Sequence, residues 1–347
     1  MISVDSLEYA AGKFSLLDIS FSVGDGETLV VLGPTGAGKT VLLELIAGFR
    51  RPRSGHVSIG GNDVTSLPPE HRGVGFVYQD YLLFPHLSVF ENIAYGLEAK
   101  GARRAETRRS VESLSSQLGI VHLLDRRTRN LSGGEQQRIA LARALITNPK
   151  TMLLDEPFAA VDPNTKEQLM RETTRILASL GIPVVYVTHD QVEATEMADR
   201  IAVMNEGRII QLDLPERVFS SPKTEFVASF VGTRNIYKGS ASKENGRTVV
   251  EVQGVKLHSS VDIEGSVHVT VRPEDILISS QMISSSARNS LRGRITVLKE
   301  KGPVVYLTAD CGVDMTAAIT RESFREFKLT VGDEVYLTFK ATSVNLF

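Results

Sequence analysis

Cysteine is almost missing from this chain of 347 residues: Cys311 stands alone. One thiol excludes an internal disulfide and any cysteine-rich metal site, and it leads us to expect a reducing, cytoplasmic setting. Long apolar runs are missing too. No stretch approaches the ~18 consecutive apolar residues of a membrane-spanning helix, so any work at a membrane is expected from the aqueous side, through other chains. A large charge of either sign is also absent. Lysine and arginine total 39, aspartate and glutamate 41, and the net charge of −2 argues against a nucleic-acid partner. The first residues, Met1, Ile2, Ser3, Val4 and Asp5, lack a basic segment followed by an apolar one, so no secretory signal is expected. What remains is 42% hydrophobic and 23% charged, as in soluble globular protein. At ~150 residues per domain the length suggests about two domains.

Two textures divide the chain. Residues 1–231 read as α/β, with apolar strand-like runs at 28–32, 74–78, 151–154 and 184–188 alternating with helix-period segments. The spacing of Leu169, Ile176, Leu177 and Leu180 predicts a helix over 165–180, stopped by Gly181. Residues 201–204 and 208–211 flank Asn205, Glu206 and Gly207 and read as a hairpin. The region 90–125 is helical and charged, and its basic run at 100–109 reads as a solvated helix face. Residues 232–347 instead alternate short strands with glycine turns, an all-β pattern. A serine-rich stretch at 278–290 separates two halves, 232–278 and 288–347, which share the order strand, turn, strand and are candidates for two related small barrels.

The richest stretch is Gly33, Pro34, Thr35, Gly36, Ala37, Gly38, Lys39 and Thr40, with Val41 carrying it into a helix-like segment. It matches G-x-x-x-x-G-K-[ST] after a strand and before a helix. Glycines let the backbone turn tightly and approach an anion, and the amides then point at phosphate oxygens with a helix N-terminus behind them. Lys39 is placed to reach the β- and γ-phosphates of a nucleotide such as ATP, and the Thr40 hydroxyl to ligate Mg²⁺. A second motif ends an apolar strand in two acids, Asp155 and Glu156, ahead of Pro157. Asp155 is suited to hold the cation and Glu156 to polarise an attacking water. A third, Leu131-Ser-Gly-Gly-Glu-Gln-Gln-Arg138, opens with a capping box formed by Ser132 and Glu135. Gly133 and Gly134 leave the amides of that helix start uncovered, a second place able to bind an anion.

The order of cradle, LSGGEQQR and LLDEP closely resembles the ABC-type ATPases. The resemblance implies a homodimer that sandwiches two ATP molecules, with Ser132, Gly133, Gly134 and Gln136 of one chain facing the phosphates held at Lys39 of the other. It makes Gln79, after the strand at 74–78, the residue that reaches Mg²⁺ and water, and His189 the switch residue that contacts the γ-phosphate. A histidine at a strand end can hydrogen-bond a phosphoryl oxygen. One loop departs from the family pattern: Ala159, Ala160, Val161 and Asp162 stand where Ser-Ala-Leu-Asp is usual, so a hydroxyl is missing and Asp162 is kept. The adenine-stacking aromatic has two candidates, Tyr9 and Phe14, of which Phe14 is favoured. The segment Tyr81, Leu82, Leu83, Phe84, Pro85 and His86 sits where the family receives a helix from its membrane subunit.

The stretches 286–293 (SARNSLRG) and 339–344 (FKATSV) open and close the second β half, and they resemble the ends of the small molybdate-binding module of molybdate and tungstate proteins. A tetrahedral dianion wants several N–H and hydroxyl donors and modest positive charge. Ser286, Arg288, Asn289, Lys340 and Ser343 offer these if the two ends meet. The expectation is therefore an α/β P-loop ATPase domain with a helical subdomain, followed by an all-β, OB-like barrel domain. Its implied role is to hydrolyse ATP with Mg²⁺ at the cytoplasmic face of the membrane, on two permease subunits served by an extracytoplasmic binding protein, importing molybdate or tungstate. Sulfate, iron(III), polyamine and sugar importers share the plan. A non-transport ABC ATPase is disfavoured by the lack of heptads and of a second cradle.

Overall fold

The computed structural model describes residues 1–347 except Asn164, and divides them into two compact units, Met1–Pro215 and Glu216–Phe347. In the first unit β1 (Ile2–Ala11), β2 (Phe14–Val23), β3 (Thr28–Leu32), α1 (Lys39–Ala47), β4 (Ser54–Ile59), β5 (Asn62–Asp63) and β6 (Val74–Val77) come first. They are followed by α2 (Val89–Ala99), α3 (Arg104–Gln117), α4 (Gly133–Leu145), β7 (Thr151–Asp155), α5 (Pro163–Leu180), β8 (Val184–Thr188), α6 (Gln191–Met197), β9 (Arg200–Asn205) and β10 (Arg208–Asp213).

Two sheets share one apolar core. An antiparallel sheet has the order β2-β1-β4-β5, and a six-stranded sheet the order β10-β9-β3-β8-β7-β6. The second is parallel except for the β9–β10 hairpin, whose turn takes positive φ at Glu206 (45°) and Gly207 (75°), as two-residue hairpins prefer. Strands β7 and β8 are buried at every position, which explains their unbroken apolar runs: both faces are covered. Leu42, Leu43, Leu45 and Ile46 of α1 join Ile2, Leu16, Ile19 and Val187 in the core. Helices α2, α3 and α4 pack on one another as the helical subdomain. The basic run at 100–109 is almost wholly exposed there, and Arg108 pairs with Glu112 one turn on, as a solvated face should.

Register places the functional loops. Leu32 lies opposite Thr188, Asp155 opposite Val187, and Val77 opposite Leu154. The parallel strands therefore end level, and the residues just past them (Gly33, Glu156, His189 and Gln79) leave from one edge of the sheet. That edge, at the carboxyl ends of strands flanking a reversal in strand order, is where open α/β sheets bind ligands.

The second unit begins earlier than residue 232, because α7 (Pro215–Ser220) and α8 (Glu225–Phe230) group with the β structure. Its strands are β11 (Asn235–Glu244), β12 (Arg247–Val252), β13 (Val255–Ser259), β14 (Gly265–Val271), β15 (Leu277–Ser279), β16 (Asn289–Lys301), β17 (Val304–Asp310) and β18 (Asp314–Thr320), then α9 (Arg321–Phe327), β19 (Glu334–Phe339) and β20 (Val344–Leu346). Two five-stranded sheets form, ordered β13-β12-β11-β14-β20 and β15-β19-β16-β17-β18. The two halves, expected as related small barrels, exchange strands. The first half sends β15 into the second sheet, the last half returns β20 to the first, and a single apolar core spans both.

Candidate active site

The phosphate cradle leaves β3 at Gly33. A Cβ there would lie 2.3 Å from the Met204 carbonyl oxygen, so only glycine lets the chain pass. Gly36 and Gly38 take φ of +86° and +107°, a backbone that L side chains rarely adopt, and α1 starts directly after. A Cβ on Gly38 would fall 2.7 Å from Phe14 Cζ and 2.7 Å from Leu16 Cδ2, which places the Phe14 ring against the cradle. Tyr9 is engaged elsewhere: its hydroxyl accepts from Arg50 at 2.9 Å, and the guanidinium lies over its ring.

Lys39 is buried and folds back on the loop, donating to the carbonyls of Gly33 (2.9 Å) and Pro34 (3.0 Å), with Glu156 Oε1 at 3.9 Å. Burial holds its ammonium below the usual lysine value, against the attraction of Glu156 and Asp155. Thr40 Oγ1 donates to Asp155 Oδ1 at 3.2 Å. Asp155 is 4% exposed, and burial pushes its carboxyl up to about 6 despite the Thr40 hydrogen bond. Glu156 stands at φ 43°, a left-handed backbone uncommon for glutamate, and is held there by its amide donating to Val187 O at 3.0 Å. That turn aims its carboxylate along the sheet edge, where Oε2 meets His189 Nδ1 at 2.9 Å. Gln79 leaves β6 exposed. Cradle, acids and His189 are thus brought together, and Glu156 and His189 also line a cavity of about 710 Å³ with Lys166, Asp190 and Glu193, on the side away from the cradle.

The capped helix start at Ser132, expected as a second anion site, is elsewhere. Ser132 lines a smaller cleft with Gly134, Asp162 and Thr165. Both halves of its capping box form: the Glu135 amide donates to Ser132 Oγ at 3.3 Å, and Ser132 N donates to Glu135 Oε2 at 2.7 Å. Gln136 Nε2 ties back to Leu131 O at 2.9 Å. The two glycines have a packing role beyond open amides. A Cβ on Gly133 would lie 2.3 Å from Ala160 O, and one on Gly134 2.9 Å from Leu169, so this loop rests on residues 159–162 and on α5. Asp162 accepts from the Thr165 amide at 3.2 Å and caps α5.

Two expectations are corrected. Tyr81, assigned to a docking surface, is 2% exposed and its hydroxyl donates to Pro157 O at 3.1 Å, so it joins this loop to the strand that carries the acids. Leu82, 53% exposed, is the apolar side chain the loop offers outward, and Arg143 clamps the Tyr81 and Leu82 carbonyls, each at 2.7 Å. Asn289, counted among oxyanion donors, is also committed. It accepts from His258 N at 2.7 Å and donates to His258 O at 3.0 Å, fastening β16 to β13. The two ends of the second β half do meet, with Asn289 paired to Phe339; Ser286, Arg288 and Lys340 are exposed and Ser343 is half-buried.

Two residues escaped sequence reasoning. Arg72, 2% exposed, donates to the carbonyls of Thr65, Leu67, Leu45 and Ile46 and closes the end of α1; nothing local marks it. Lys166 pairs with Asp190 and Glu193 beside His189. Its signal was a cation in the first turn of a helix, against the macrodipole, which asks for a specific anionic partner.

Comparison with known proteins agrees with this geometry. Residues 16–159 match the ABC transporter family and residues 285–346 the TOBE domain. The chain is 44% identical to a molybdate/tungstate import ATP-binding protein of Pyrococcus abyssi over all of both chains. It is 38% identical to a spermidine/putrescine import ATP-binding protein of Marinobacter nauticus, over 94% of this chain and 90% of that one. Among solved structures it resembles an ATP-binding cassette described as a dimeric post-hydrolysis state bound to ADP and phosphate. That match has a TM-score of 0.56 at 28% identity, over 62% of this chain and 99% of that one. With its cradle, paired acids and capped glycine helix on the expected scaffold, the chain belongs to the ATP-binding subunits of ABC transporters, in the molybdate/tungstate import family.

Proposed function

We propose that this chain hydrolyses ATP to drive import of a tetrahedral oxyanion, molybdate or tungstate, as a homodimer seated on two permease subunits at the cytoplasmic face. An extracytoplasmic binding protein delivers the cargo. The observation that carries the reading is the meeting of Lys39, Thr40, Asp155, Glu156 and His189 at one sheet edge. The cargo is supported by likeness to the molybdate/tungstate relative at 44% identity over the whole of both chains, whereas the polyamine relative of Marinobacter nauticus reaches 38% over 94% of this chain.

In this reading Lys39 exchanges the Gly33 and Pro34 carbonyls for the β- and γ-phosphate oxygens, while the cradle amides and the α1 N-terminus hold the rest of the chain of phosphates. Phe14 stacks on the base. The residues fit Mg²⁺: Thr40 and Asp155 present two hard oxygens side by side, one a buried carboxylate whose proton affinity is already raised, with Gln79 leaving the neighbouring strand. When bound, that ion neutralises charge on the β- and γ-phosphates. Glu156 takes the proton of the attacking water, and His189 donates to a γ-phosphate oxygen. Ser132 and Gly134 of the partner subunit complete the donor set, which is why they stand apart from the cradle in one chain. Closure reaches the permeases through the loop at Leu82, whose neighbour Tyr81 is bonded to Pro157, the residue after the base. Cargo accumulating inside would bind near Ser286, Arg288, Lys340 and Ser343 and favour the open dimer by its differential affinity.

Uptake of radiolabelled molybdate into vesicles holding the assembled transporter tests this. Uptake should require ATP and vanish in Glu156→Gln, which still binds ATP, and molybdate on the ATP side should lower the hydrolysis rate. Uptake of spermidine or sulfate in place of molybdate rejects the cargo, and a rate indifferent to internal molybdate rejects the feedback.

A further inference from the structure

His189 is 58% exposed, and its side chain meets Glu156 at 2.9 Å. Its direction is therefore set by that one contact and by its backbone, both neighbours of which are anchored by one charged cluster. Glu193, 4% exposed on α6, accepts from Thr188 Oγ1 at 2.6 Å and from the Tyr186 hydroxyl through one oxygen. Its other oxygen meets Lys166 Nζ at 2.6 Å. The same ammonium lies 2.6 Å from Asp190 Oδ2. Asp190 in turn caps α6 through the Val192 amide at 2.8 Å and donates its own amide to Thr188 Oγ1 at 3.0 Å. Thr188 and Asp190, on either side of His189, are thus held to one lysine.

That lysine comes from α5, four residues after Asp162, which caps the helix and ends the loop on which Gly133 rests. A cation so near a helix N-terminus gains nothing from the helix itself. It does balance two carboxylates, that of Glu193 buried and that of Asp190 part-exposed, that would otherwise face each other.

We propose that Lys166 is a positioning residue for ATP hydrolysis, which sets the direction of His189 and ties it to the loop 159–162. The inference rests on the reading of His189 as the phosphate-facing switch. Without the ammonium the Asp190 and Glu193 carboxylates separate, the strand end at Thr188 loosens, and His189 no longer points at the reacting phosphate. ATP binding, made by the cradle on the far side of Glu156, is untouched.

The test uses full-length Lys166→Met and Lys166→Arg, each alone and combined with His189→Ala. Single-turnover rates are taken at enzyme excess, so that slow hydrolysis is measurable, and ATP affinity is measured separately. Lys166→Met should lower kcat roughly ten- to hundredfold, as misplacement of a reacting group by about 1 Å does, with KM and ATP affinity within about twofold. Lys166→Arg should recover most of the rate. In the His189→Ala background Lys166→Met should add no further loss, because both changes remove one function. An unchanged kcat, a KM that rises as kcat falls with no rescue by arginine, or losses that multiply would each overturn the proposal. If Lys166→Met does not fold, Glu193→Gln, which keeps the shape, takes its place with the same expectation. A normal rate in His189→Ala alone rejects the histidine's role itself, whereas a loss there beside a normal Lys166→Met rejects only the inference.

Discussion

Replacing Asp155 by asparagine should make the nucleotide-free protein more stable while removing its activity. The carboxyl sits at about 6, against 3.8 for an unburied aspartate, mainly because it is out of water. Each pKa unit is worth about 1.4 kcal/mol, so ionising Asp155 in the folded chain costs about 3 kcal/mol relative to the unfolded one. Asparagine keeps an oxygen for the Thr40 hydroxyl and removes the charge, so Asp155→Asn should gain about 1–3 kcal/mol at pH 7. The sign with pH follows from a raised carboxyl. The folded protein holds the proton longer, so the native chain loses stability as pH rises from about 4 to about 6 and stays penalised above. The advantage of asparagine is therefore full above pH 6, shrinks on acidification, and vanishes near pH 4. Two units need not melt together, so the assay is calorimetry with the transition of Met1–Pro215 resolved. For a unit of that size about 2–4 °C of Tm accompanies each kcal/mol. Magnesium and ATP should reverse the order, because a divalent cation beside Asp155 favours its charged form and binds the folded chain alone. An Asp155→Asn protein no more stable than the native one at pH 7, or an advantage that grows toward acid, would refute the burial argument.

Two other changes probe the scaffold. Gly38→Ala puts a Cβ 2.7 Å from Phe14 and Leu16 on a backbone at φ +107°. It should cost about 1–3 kcal/mol of stability by chemical denaturation and weaken ATP binding by at least tenfold in equilibrium titration; native-like binding would show that the cradle yields. Arg72→Met removes the buried guanidinium that donates to four carbonyls, of which Leu45 O still accepts from the Gly48 amide. It should destabilise the first unit by about 2–4 kcal/mol, the cost of buried acceptors left without a donor, read from its unfolding transition, with little effect on the ATP affinity of protein that remains folded.

The fold class was legible because its signals are local. The cradle carries its own glycines and flanks, the strand ending in Asp155 and Glu156 carries its apolar run, and Ser132 with Glu135 spells its own cap. The Glu206–Gly207 hairpin likewise needs only the turn. The oxyanion set was misread at Asn289 because an asparagine has the same donors whether it meets a ligand or the backbone of His258. Tyr81 was misread because an aromatic next to a loop looks equally apt for a surface and for a core.

By itself the sequence determined which side chains can do the chemistry, a strand-end acid pair, a glycine cradle and a capped helix start, since residue type and short-range spacing specify those. The tertiary structure alone decided how they are aimed. The level ends of β3, β7 and β8 bring Lys39, Asp155 and His189 to one edge, the left-handed turn at Glu156 points its carboxylate at the histidine, and Lys166 reaches Asp190 and Glu193 from another helix. The exchange of β15 and β20 between the two C-terminal sheets belongs to the same class. Each depends on strand register or on contacts between residues far apart in the chain, and neither leaves a periodicity or a motif for local reading to find.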